Sequence, residues 1–102
     1  MMWYHYLAAF GAGAFITNSV PHFVNGISGD RFPTPFARPH GRGLSSPLLN
    51  VVWALVNLAV GLFLLSMPGV DMHDVKARLL VFAAVALLSL AMAKNFSGKH
   101  KD

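Results

Sequence analysis

Residues 1–29 contain no Asp, Glu, Lys or Arg, and residues 48–67 form a second run of 20 without one. A helix of about 20 apolar residues matches the roughly 30 Å hydrocarbon core of a bilayer. A soluble chain of 102 residues has too much surface for its volume to hide two such runs. Composition points the same way: 55% of the residues are hydrophobic and only 12% charged, against about 25% charged in a typical soluble domain. The expected solvent is lipid.

Three spans are expected, at about residues 3–27, 48–67 and 75–95. The first lacks the basic leader that a cleaved signal sequence needs, since residues 1–6 hold no Lys or Arg. The second is bracketed by Pro47 at its start and Pro68-Gly69 beyond its end, positions that favour a first helical turn and a stop. The third has a strictly apolar core at 79–93 and reaches back to Val75 if Lys76 and Arg78 snorkel, with Asp74 as its N-cap. The fold class read from this pattern is all-α and integral to the membrane, a single domain with three helices in an antiparallel up-down-up bundle.

Residues 28–47 form a long linker rich in Pro and Gly, including Pro33, Pro35, Pro39, Gly29, Gly41 and Gly43. Helix and central strand are disfavoured there. Residues 32–39 read as extended and stiff, with Phe32 and Phe36 at the membrane interface and Gly41-Arg42-Gly43 as a flexible turn. Arg31, Arg38 and Arg42 share a side with Lys94, Lys99 and Lys101 in a three-pass chain, against Lys76 and Arg78 on the other side. The positive-inside rule then places the linker and the tail, residues 96–102, in the cytoplasm and the N-terminus outside, in a membrane of bacterial inner or plasma type.

Polar groups in hydrocarbon need partners, so their placement carries the most information. At 100° per residue, Asn18, His22 and Asn25 share one face of span one with Gly11 and Ala14, and Asn50 and Asn57 share one face of span two with Ala54 and Gly61. Small residues beside amides are the composition of membrane helix contacts. Both amide pairs are seven residues apart. A register in which opposed residue numbers sum to 75 joins Asn18 to Asn57 and Asn25 to Asn50, with His22 beside Trp53. A second small stripe, Ala9, Gly13 and Thr17, and the heptad Ala77, Ala84 and Ala91 on span three are available to close the bundle or to form a dimer.

Pro21 inside span one removes one backbone hydrogen bond and strains the Thr17 carbonyl, so a kink is expected between Thr17 and Pro21, satisfied by nearby Thr17, Asn18 or Ser19 side chains. His22 is the one ionisable side chain deep within a span, which raises proton carriage or ligation against the plainer reading of an imidazole bonded to an amide or carbonyl. The absence of cysteine removes disulfides and thiol chemistry. All four acidic residues lie in loops or the tail, and no serine sits in a nucleophile-elbow pattern. The basic residues are not interleaved with aromatics on one face, so no nucleic-acid partner is expected.

In span count the chain is similar to half-size sugar transporters, which dimerise to make one pathway. Their Pro-Gln signature on the first span is replaced here by Pro21-His22.

The expected function is therefore that of a small polytopic, non-enzymatic membrane protein, an accessory or self-associating subunit whose partners are the bilayer and a second copy or a larger membrane complex, with no cofactor. One alternative is an oligomeric half-size transporter or channel whose pathway is lined by Asn18, His22, Asn25, Asn50 and Asn57. Another is a subunit that binds haem or quinone.

Overall fold

The computed structural model describes residues 1–39 and 43–97. Three helices form, α1 (Trp3–Ile27), α2 (Pro47–Leu65) and α3 (Val75–Asn95), each long and apolar enough to cross a membrane. The Gly41-Arg42 turn and the basic tail positions Lys99 and Lys101 lie outside the described residues.

The helix ends follow local chemistry. At the end of α1, Gly29 takes φ +76°. That left-handed step lets the Asp30 N–H reach the Asn25 carbonyl at 2.8 Å and the Gly29 N–H reach that of Gly26 at 3.1 Å, a Schellman cap. Ser46 caps α2, its Oγ accepting from the Leu49 N–H at 3.1 Å, with Pro47 in the first turn. The helix stops at Leu65, and residues 66–69 turn where Pro68 and Gly69 stand. Asp74 caps α3 by accepting from the Lys76 N–H at 2.9 Å.

α1 is the central element. Both α2 and α3 pack on it, while α2 and α3 make no close backbone approach to each other among the described residues. Along the α1·α2 contact, rising numbers on α1 meet falling numbers on α2: Gly11 is near Leu64, Gly61 sits against Ala12 and Ile16, and Gly26 sits against Pro47 and Val51. Along α1·α3, Gly13 faces Val81 and Ala84. Ala9, Ala12, Ala54, Ala77 and Ala84 are almost fully buried, whereas Leu7, Phe63, Phe82 and Leu90 are exposed. Small residues inside and large apolar ones outside is the arrangement that lets helix backbones approach in lipid. Ala91, the third member of the α3 stripe, is exposed and does not join the contact.

The linker departs from the extended reading. Phe32 pairs with Ser45 in an isolated antiparallel bridge, and the chain then turns at 34–37, where the Ala37 N–H donates to the Thr34 carbonyl at 3.1 Å. Thr34 Oγ1 also accepts from the Phe36 N–H at 3.2 Å. Side-chain oxygens that compensate backbone donors favour such turns over extended chain. The peptide bond between Arg38 and Pro39 is cis. Phe32 is 4% exposed, packed edge-on to His22 at 5.3 Å and against Phe96 at 4.9 Å. The Phe32–Phe96 contact brings the linker and the C-terminal end of α3 together.

Candidate functional site

The polar side chains of α1 and α2 form a seam ending beneath the folded linker. At mid-helix the Asn18 Nδ2 donates to Asn57 Oδ1 at 3.0 Å, and Asn57 Nδ2 donates to the Trp53 carbonyl at 2.8 Å. Asn57 is buried, and Asn18 is partly open to a cleft it lines with Ala14, Phe15 and Leu88.

The other amides are not paired as the register of 75 requires. Asn50, with 0% exposure, donates from Nδ2 toward the carbonyls of Phe32 at 2.9 Å, Ser46 at 3.0 Å and Ser45 at 3.2 Å. Its Oδ1 faces His22 Nδ1 at 2.8 Å. Asn25 instead donates from Nδ2 to the Pro21 carbonyl on its own helix, at 2.7 Å. The physical reason lies in the linker. The bridge between Phe32 and Ser45 carries carbonyl oxygens to the first turn of α2, where each accepts from the Asn50 amide as well as from a backbone N–H, so the buried amide is satisfied without Asn25.

With Nδ2 turned toward three carbonyls, Asn50 presents only its oxygen to His22, so His22 Nδ1 is the donor of that bond. His22 is 6% exposed and packs beside Phe32, and the Trp53 ring packs edge-on to Phe36 at 5.2 Å. Imidazole, amide, linker carbonyls and the buried Thr34–Ser45 hydroxyl pair, 2.6 Å apart, make one continuous buried network.

Around Pro21 the helix is unbroken from Trp3 to Ile27. The side chains expected to serve the strained carbonyl act elsewhere: Asn18 crosses to α2, and Ser19 Oγ donates to the Ile16 carbonyl at 2.6 Å. Thr17 is buried.

Two contacts had no distinct signal in the sequence. One is the docking of the linker through Phe32, Thr34 and Ser45, for which Ser45-Ser46-Pro47 gave only a helix start. The other is at the far end, where the Tyr6 hydroxyl donates to Asp74 Oδ2 at 2.6 Å and ties α1 to the start of α3. That bond, followed by the one from the Lys76 N–H, holds the Asp74 carboxyl below its ordinary value, against a smaller opposing effect of burial. Nothing short of the folded chain brings residues 68 apart into contact.

Among the described residues, no three His, Asp or Glu side chains cluster to hold a metal ion. No protein-family model matches the chain, and neither a curated protein nor a solved structure is similar to it.

Proposed function

We propose that this chain is a non-enzymatic, three-pass, up-down-up membrane protein that serves as an accessory or self-associating subunit. The linker forms a folded cap on the cytoplasmic side and acts as the docking element, and the N-terminus lies outside. The observation that carries this reading is the saturation of Asn50: a wholly buried amide whose bonds all go to its own chain is a structural lock. A solute path would call for polar side chains left to water, and here Asn18, Asn57, His22 and Asn50 bond within the chain.

Orientation rests on the excess of Lys and Arg in the linker and tail. Association is supported by α3, which buries only one side, and docking by exposed Phe36 and Arg38 on the cap. A bacterial inner or plasma membrane fits the same charge bias.

The test uses the absence of native cysteine. Paired substitutions Asn18→Cys with Asn57→Cys, and His22→Cys with Asn50→Cys, are expected to crosslink within one chain in membranes, while two differently tagged copies co-purify from mild detergent. Ready labelling of all four positions by water-soluble thiol reagents, without intrachain crosslinks, would instead support the solute pathway.

A further inference from the structure

A groove of about 780 Å³ lies between the C-terminal halves of α1 and α3, with Phe32 and Phe96 at its linker end. Its α1 wall runs from Ile16 to Asn25 and its α3 wall from Val85 to Phe96. At the helical rise these walls are about 14 and 16 Å long. One leaflet contributes roughly 15 Å of hydrocarbon, half the thickness of the core.

The groove ends where the helices meet. A Cβ built on Gly13 would lie 2.7 Å from the Val81 carbonyl oxygen, so the two backbones meet there and close the groove at its end away from the linker. A further transmembrane helix, which needs the whole bilayer thickness, does not fit a slot one leaflet deep. The side of the slot is open, since Val20, Val24 and Val85 are exposed. Its polar lining is turned to backbone: Asn25 donates to the Pro21 carbonyl and Ser89 to that of Ala86, and Thr17 is buried. What remains is aliphatic and aromatic wall.

The linker end is cationic. Arg31 is exposed beside Phe32, which lines the groove, with Arg38 exposed on the same cap; Lys94 is exposed in the last turn of α3, one helical step round from Ala93 and outside the groove lining. Asp30 is the single described carboxylate at this end. At the opposite end Lys76 and Arg78 are matched by Asp71 and Asp74.

From the leaflet-deep apolar slot and the cationic linker end beside it, we infer that the groove holds an acyl chain of one anionic phospholipid from the linker-side leaflet, its headgroup against Arg31. This rests on the membrane reading above but not on the amide seam, and the crosslinking test of the seam is independent of it.

The experiment is native mass spectrometry of the full chain, released from mild detergent with equimolar palmitoyl-oleoyl phosphatidylglycerol and phosphatidylcholine. One phosphatidylglycerol retained in preference to phosphatidylcholine is expected. Arg31→Gln should lower that preference about fivefold, Lys94→Gln, off the groove face, should lower it less, and Asp30→Asn should raise it. Ser89→Phe, which puts a ring into the slot, should reduce retention of both lipids at unchanged helical circular dichroism, and Met92→Trp serves the same purpose should that variant misfold. Equal retention of the two lipids would overturn the headgroup assignment. Undiminished retention in the slot-filling variants, or a prenylquinone displacing the phospholipid, would overturn the occupant.

Discussion

The two contacts that α1 makes are built on opposite principles. Against α2 it sets amides, an imidazole and the docked linker, so that contact is specified by directional bonds as well as by the close approaches at Gly26 and Gly61. Against α3 it sets Gly13, facing Val81 and Ala84, and, among the described residues, a single side-chain hydrogen bond at one end, from Tyr6 to Asp74. In lipid there is no hydrophobic force to join helices, so the first contact draws on hydrogen bonds and fit together and the second almost wholly on fit. The polar contact fixes register. The smooth one leaves α3 with most of its surface turned outward.

Breaking the polar contact at its centre should have the largest effect. Asn50→Leu strands the His22 N–H, an unpaired buried group that costs about 1–3 kcal/mol, and removes the side-chain donor that ties α2 to the Phe32 and Ser45 carbonyls, which keep their backbone partners. The midpoint of unfolding by SDS, followed by circular dichroism in mixed micelles, should fall more than for any other single change considered, and the linker should become sensitive to protease. Next comes Gly13→Leu, where the new side chain meets the Val81 backbone and overpacking costs about 1–3 kcal/mol. That variant should release α3 while a cysteine pair at 18 and 57 still crosslinks. If both contacts fail together, the separation of principles drawn above is wrong.

Asn18→Leu removes one interhelical bond, an effect of about 0.6–2 kcal/mol. The same SDS titration should resolve it as a smaller shift than Asn50→Leu. A shift as large would show that the amide at mid-helix, not the one beneath the linker, sets the register.

The smallest effect belongs to Tyr6→Phe. The Asp74 carboxyl is held below its ordinary value in the folded chain, so its contribution is complete above the ordinary carboxylate range and disappears as pH falls through the lowered folded value. The wild type should therefore lose a little stability on acidification below that range, and Tyr6→Phe should flatten the loss. A pH profile that is identical in the two proteins would remove Tyr6 from the α1·α3 contact.

The three spans were legible because lipid enforces a simple rule: uncharged apolar runs of bilayer length, ended by Pro, Gly or a capping side chain. The choice of amides and small residues for the contact faces was legible as well, and Asn18 does reach Asn57. Pairing Asn25 with Asn50 failed because helical periodicity counts only what the helices offer each other. The carbonyls of Phe32, Ser45 and Ser46 come from the linker, and no periodicity describes them.

The sequence by itself determined how many helices form, where they begin and end, and which faces need partners, since each depends on neighbours within a few residues or on the solvent. Only the tertiary structure decided that the linker folds back as a cap, that His22 bonds Asn50 with Phe32 against it, that Tyr6 meets Asp74, and that α1 stands between two helices whose backbones make no close approach among the described residues. Those outcomes depend on residues 10 to 68 positions apart competing for the same donors, acceptors and space, and that competition is settled only when the whole chain is assembled.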